Sequence, residues 1–191
     1  AAEVPPRSNL SKFHKMGADM VAFSGGKGIG GPQSAGVLAG KADLMEAVVM
    51  NSLNLDSSVA AIGRPMKVSK ENIIGLVTAL QLFTDSDEGA EWEGWQSKAE
   101  FVSERLTGIP GLRVELEDDP AKRQGPQPVL YFDDDFSGPS PDEIKALLEA
   151  GDPGIFVGGG GSKKEISIVM VNVQDGEEII IAERLNEILR S

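Results

Sequence analysis

The sequence predicts an α/β fold in two parts, residues 1–85 and 86–191. Two features point to it. Up to about residue 85, two short apolar runs flank a glycine-rich loop and then give way to helical periodicity. After Gly111, short strands alternate with turns and an amphipathic helix closes the chain, which together make a compact α/β domain.

Val4-Pro5-Pro6 is extended or looped, because proline fixes φ and restricts the residue before it. Ser8 or Asn9 can cap a short helix reaching about Met16. That helix holds the lone histidine, His14, read as a surface or packing side chain. The run Met20 to Phe23 reads as a buried strand, and Ala35 to Ala39 as a second. Lys41 to Asn51 reads as a helix with Leu44, Val48 and Val49 on one side. The small residues from Asn54 to Gly63 lead into another short helix.

Ser69 is a good N-cap for a long helix, with Glu71 in the first turn favoured by the helix dipole. Ile73, Leu76, Val77, Leu80 and Phe83 recur at 3.6-residue spacing and predict its buried face. The acidic stretch Asp85 to Glu91 breaks the pattern. Trp92 to Leu106 forms a further helix with Trp95, Ala99, Val102 and Leu106 as its stripe, and both tryptophans read as packing residues.

In the second part, Val114 to Leu116 and Val129 to Phe132 read as strands around a polar loop. Asp133-Asp134-Asp135 lacks EF-hand spacing and reads as a solvated turn, so no metal is expected. Ser140-Pro141-Asp142-Glu143 is a capping box with proline at N1. It opens a helix carrying Ile144, Leu147 and Leu148 that stops at Gly151. Ile155 to Val157 and Glu165 to Val173 read as strands, with Gly158 to Gly161 as the hinge or hairpin between them. Gly176-Glu177-Glu178 starts the final helix, with Ile181, Leu185 and Ile188 inward.

Asp and Glu number 30 against 18 Lys and Arg, a net charge of −12. This acidity argues against a broad nucleic-acid surface, and no polybasic stretch would seek an anionic membrane. Cysteine is absent, which removes disulfides and cysteine-ligated metals. No apolar run is long enough to span a bilayer, and the N-terminus lacks the layout of a signal peptide. A soluble, cytoplasmic protein is expected.

Lys27 stands among Gly25, Gly26, Gly28, Gly30 and Gly31, at the end of a strand. Glycine lets backbone approach a ligand closely. A P-loop would need Ser or Thr after the lysine and a helix beyond, and Gly28 follows instead. Gly26-x-Gly28-x-x-Gly31 matches a dinucleotide fingerprint, but Pro32 and the next apolar run look like a strand rather than the required helix. A third reading is a Schiff-base lysine, an amine that condenses with a carbonyl. The bland reading is a surface loop with a solvated lysine.

The segment Gly17-Ala18-Asp19…Phe23-Ser24-Gly25-Gly26-Lys27…Gly30-Gly31-Pro32-Gln33-Ser34-Ala35-Gly36 resembles the lysine loop of fold-type I pyridoxal-phosphate enzymes. The likeness is to the group of bacterial selenocysteine synthase (L-seryl-tRNA selenium transferase) and the D-glucosaminate-6-phosphate ammonia-lyases. It continues through Gly63-Arg64-Pro65-Met66-Lys67-Val68-Ser69-Lys70-Glu71 and, more loosely, to the C-terminus.

The resemblance implies a set of roles. Pyridoxal 5'-phosphate is the expected cofactor. Lys27 is the expected Schiff base and general base, because its amine can be deprotonated whereas arginine stays charged. Ser24, three residues earlier, is expected to bond the cofactor phosphate, with Gly25 and Gly26 turning tightly beneath the cofactor. Gln33 is expected to face the cofactor or a partner subunit. Arg64 and Lys67, which with Lys70 place three positive charges in seven residues, are expected to bind a substrate carboxylate or phosphate. Relatives often carry an arginine after the strand corresponding to Ile155–Val157. Gly158 stands there in this chain, so that carboxylate contact is missing from the pattern.

The chain opens at Ala1 without methionine, a position inside the large domain of the resembled enzymes. It is therefore expected to be a C-terminal half, inactive alone: residues 1–85 from the cofactor-binding large domain and 86–191 the small C-terminal domain. The expected reaction is α-proton abstraction and β-elimination on an amino acid or amino-sugar acid phosphate, in a homo-oligomer. Selenium transfer on seryl-tRNA, a non-catalytic relative and a nucleotide-binding module are the alternatives.

Overall fold

A computed structural model describes residues 4–52, 61–119, 125–160 and 163–190. The fold is mixed α/β, and it divides into two compact units, Ala1–Asp87 and Glu88–Ser191.

The first unit opens with α1 (Asn9–Lys15), followed by β1 (Met20–Ser24) and β2 (Gly36–Gly40), which pair antiparallel. Ser8 does not cap α1 with its side chain. It is itself helical, and its carbonyl accepts from the Ser11 hydroxyl at 3.2 Å. His14 Nδ1 lies 3.0 Å from the Ala18 carbonyl, a local contact beyond the end of α1 that fits its reading as a packing residue. Ser24 lies opposite Gly36, so residues 25–35 form the hairpin loop. Asp19 and Lys41 form an ion pair across the hairpin base, and that contact holds the Asp19 carboxyl below its usual range.

Helix α2 (Ala42–Asn51) follows, then α3 (Lys70–Asp85). Most of the stretch from Asn54 to Gly63, which was expected to lead into a short helix, lies outside the described residues. A 3-10 turn, Arg64–Met66, leads towards α3. The Ser69 hydroxyl accepts from the Asn72 amide at 3.2 Å, so the expected cap is present. Val4, Val21, Phe23, Ile29 and Leu76 form the buried core of this unit, with Leu80 and Phe83 packed against it. Ile73 and Val77, expected on the buried face of α3, are 52% and 60% exposed. Arg7 Nη2 donates to the Ser86 carbonyl at 2.5 Å and ties the entry segment to the end of α3.

The second unit packs α4 (Glu88–Arg105), α5 (Pro141–Glu149) and α6 (Glu177–Leu189) with a sheet of β3 (Leu112–Glu117), β4 (Gln127–Phe132), β6 (Lys163–Ser167) and β5 (Gly158–Gly160), in that spatial order. Every neighbouring pair is antiparallel. Val102 of α4 and Leu106 just beyond it, Leu130 of β4, Ile144 and Leu148 of α5, Ile166 of β6 and Leu185 of α6 are fully buried in one core. Trp95 packs against it, as expected of a packing tryptophan. The capping box at Ser140 is formed as expected.

Two expected strands are redrawn. Residues 155–157 form no strand. The Ile155 amide is already committed to the Leu148 carbonyl at 3.0 Å, at the end of α5, while Phe156 is 80% exposed. Strand pairing falls instead on the glycines that follow. The strand expected over 165–173 ends at Ser167, and a 3-10 turn (Met170–Asn172) then turns Met170 into the core.

Candidate functional site

The loop between β1 and β2 carries Lys27 and is held from three directions. Its own backbone closes it: the Gly25 amide donates to Ala35 at 2.9 Å, Gly31 to Gly25 at 2.7 Å and Gly30 to Lys27 at 2.7 Å. Ile29, 4% exposed, anchors it in the core of the first unit, as an apolar residue amid polar loop positions will where it gains burial.

The third support is one face of α3. Asn72 Nδ2 donates to the Ser34 hydroxyl at 2.7 Å. A Cβ on Gly75 would lie 2.9 Å from Pro32 Cγ. Leu76 lies against the positions where Gly25 and Gly31 would bear side chains, and Ala79 is 3.4 Å from the latter. Positions 72, 75, 76 and 79 follow i, i+3, i+4, i+7 spacing on a helix. Leu76 is the one member of this stripe that hydrophobic periodicity predicts; Asn72, Gly75 and Ala79 are small or polar, so that reading passes over them. Small side chains are what let the loop approach the helix so closely.

The glycines serve this packing. A Cβ on Gly26 would lie 2.6 Å from Gln33 Cα, and one on Gly28 only 2.0 Å from the Val4 carbonyl oxygen. Gly30 adopts φ +75°, a region side-chain-bearing residues avoid. Close approach here is of the loop to its own neighbours.

What the loop presents is an amine and a hydroxyl. Lys27 is exposed, and its amine has no partner among the described residues. Ser24, half-buried as the last residue of β1, likewise has an uncommitted hydroxyl. Gln33 is exposed and donates from Nε2 to the Gly26 carbonyl at 2.9 Å, across the loop.

Arg64 and Lys67 occupy a separate, exposed segment leading into α3. Neither forms an ion pair among the described residues. The segment is tied back by the Gly63 amide, which donates to Asn51 at 2.8 Å at the end of α2. Beside it, Glu71 is held below the usual carboxylate range by its own backbone N–H and by the Ser69 hydroxyl. In the second unit, Gly158 lies opposite Ser167, and a Cβ there would come within 2.4 Å of Ser167 Oγ. A side chain at 158 would require the Ser167 hydroxyl to rotate away, the nearest backbone atom being at 3.5 Å. The aspartates at 133–135 are exposed, with Asp134 paired to Lys164, and no group of three metal-binding side chains occurs among the described residues.

The sequence pattern of the L-seryl-tRNA selenium transferase family matches residues 3–117. Over 184 residues the chain is 30% identical to a 5'-C-glycyluridine monooxygenase-decarboxylase of Streptomyces sp., covering 94% of this chain and 43% of that protein. It is 28% identical over 181 residues to the D-glucosaminate-6-phosphate ammonia lyase of Salmonella typhimurium, covering 94% and 46%. A solved structure of D-glucosaminate-6-phosphate ammonia-lyase superposes with TM-score 0.72 at 27% identity, over 100% of this chain and 48% of that one. The chain thus spans less than half the length of each of these relatives.

Proposed function

The chain belongs to the L-seryl-tRNA selenium transferase family, and we propose that it is the lysine-bearing part of a lyase in that family. The cofactor is pyridoxal 5'-phosphate. The observation that carries the proposal is the Lys27 amine, without a partner among the described residues, on a loop held by α3 and by its own backbone.

The donor set fits the cofactor. An aldehyde needs an uncommitted amine, and a phosphate needs uncommitted donors. Lys27 and the Ser24 hydroxyl supply both within four residues. When bound, the cofactor supplies an electron sink for negative charge at a substrate α-carbon. Lys27 would hold the aldehyde carbon and serve as the base for the α-proton, a role that requires an amine able to lose its charge. Ser24 would donate to the phosphate. Arg64 and Lys67 would bind a carboxylate or phosphate on the substrate, the arginine in bidentate fashion. Residues 1–85 would belong to the large cofactor-binding domain and 86–191 to the small domain of a homo-oligomer.

We place the reaction with the ammonia-lyases: α-proton abstraction followed by loss of a β-substituent from an amino acid or amino-sugar acid phosphate. The likeness to the ammonia lyase along nearly the whole chain favours this choice. Selenium transfer on seryl-tRNA is the second reading, favoured by the family pattern over residues 3–117. The net charge of −12 weighs against a tRNA surface on this part of the protein.

The test is borohydride reduction of the full-length protein with pyridoxal 5'-phosphate, followed by peptide mapping. The cofactor should be fixed to Lys27. Retention of the covalent cofactor by Lys27→Ala would overturn the proposal. Salt-sensitive binding of seryl-tRNA would promote the second reading.

A further inference from the structure

We infer that Gln33 is a positioning residue for Lys27, an inference that rests on the role proposed for Lys27 above. The peptide groups on either side of Lys27 are both held. Its own carbonyl accepts from the Gly30 amide at 2.7 Å, a backbone contact. The carbonyl before it, that of Gly26, accepts from Gln33 Nε2 at 2.9 Å. Gln33 is thus a side chain that fixes the orientation of the peptide from which Lys27 departs.

Three observations make this contact specific. Gly26 and Gln33 are packed so closely that a Cβ on Gly26 would lie 2.6 Å from Gln33 Cα and 2.8 Å from Gln33 Oε1. The next residue, Ser34, is anchored by Asn72 at 2.7 Å, so Gln33 is itself delivered from a fixed point on α3. The segment being held contains Gly25, Gly26, Gly28, Gly30 and Gly31, the residue type with the most backbone freedom to lose. A lysine on such a segment explores many directions unless its flanking peptides are pinned. Reactions that need a near-attack geometry suffer when they are not.

The test has two arms. In the cofactor-free protein, Gln33→Ala should speed hydrogen exchange at the Gly30 and Gly31 amides about tenfold, the worth of one ordinary hydrogen bond, with the β1–β2 amides unchanged. In the full-length enzyme with pyridoxal 5'-phosphate, Gln33→Ala and Gln33→Glu should each displace the midpoint of the pH titration of the cofactor's visible absorbance. Each should also lower kcat about tenfold with KM nearly constant. Glutamate is included because its carboxylate offers the Gly26 carbonyl no donor at neutral pH. Wild-type exchange in Gln33→Ala, or a wild-type titration midpoint in both variants, overturns the inference. If Lys27→Ala loses the covalent cofactor while the Gln33 variants behave as wild type, the inference about Gln33 alone falls. If Lys27→Ala keeps it, the reading of Lys27 falls, and this inference with it.

Discussion

The hydroxyl of Tyr131 on β4 donates to Glu117 Oε1 on β3 at 2.5 Å, and Arg113 lies over the same ring at 4.5 Å. The hydrogen bond to Glu117 is the largest influence on the phenol, with burial and the charges of Glu117, Glu165 and Glu115 adding to it; together they push its pKa up to about 12. The fold therefore stabilises the protonated phenol. That contribution is fully present below the unfolded pKa of about 10 and is lost as pH rises from there to the folded value. Tyr131 is the chain's one tyrosine, so phenolate absorbance reports it without overlap from another. The native protein should titrate near 12, and Tyr131→Phe should remove the part of the alkaline loss of stability that this phenol contributes.

Two helical glycines should respond in opposite ways to alanine. Gly94 in α4 faces open space, with nothing within 4 Å of an added Cβ. Gly94→Ala should stabilise by roughly 0.5–1 kcal/mol, the ordinary gain of alanine in a helix. Gly75 in α3 lies against Pro32, where a Cβ would come within 2.9 Å of Cγ. Gly75→Ala should lose that gain and loosen the lysine loop. Denaturant melts of the two variants, with hydrogen exchange at residues 25–35, check the contrast.

Within the loop, Gly28→Ala should be more disruptive than Gly30→Ala. At Gly28 the new methyl meets the Val4 carbonyl oxygen at 2.0 Å, an obstacle made of backbone. At Gly30 the space is open, and the cost is the strain of φ +75°, about 1 kcal/mol. Equal melting temperatures for the two variants would contradict this ordering.

The capping box of α5 predicts an acid-side effect. Glu143 Oε2 accepts from the Ser140 hydroxyl at 2.7 Å and from the Ser140 amide at 2.8 Å, which hold its pKa below the usual carboxylate range. A depressed folded pKa contributes stability above the unfolded value, and this is lost as pH falls through the folded one. Glu143→Gln should flatten the acid limb of the stability curve. Ser140→Ala should cost about 1 kcal/mol at neutral pH, measured by urea melts.

Arg64→Ala and Lys67→Ala should raise KM in the full-length enzyme with little change in melting temperature. Both side chains are exposed and without ion-pair partners among the described residues. Arg64→Lys should restore only part of the loss if recognition is bidentate, because a lysine offers a point charge in place of a planar fork. A lowered melting temperature with unchanged KM would assign these residues a packing role.

Local chemistry was legible in the sequence wherever the controlling contacts lie within a few residues. The caps at Ser69 and Ser140 depend on atoms three positions away, and both form. The inward stripe of α6, Ile181, Leu185 and Ile188, follows from periodicity, and all three are buried. The loop motif around Lys27 could be read because its residues are contiguous and its glycines unmistakable.

Tertiary structure decided matters that depend on distant partners. Hydropathy showed only part of the α3 face that holds the loop: Leu76 lies there as its spacing implies, but Asn72, Gly75 and Ala79 act through size and a hydrogen bond while Ile73 and Val77 stay exposed. The strand at 158–160 was hidden because glycines carry no side-chain pattern, and its neighbour at 155–157 lost its amide to the end of α5. Gln33, though exposed, lies across the loop because a carbonyl seven residues away stands within reach of its amide. Sequence determines such contacts only through the fold that brings both ends together, and spacing along the chain does not record that distance.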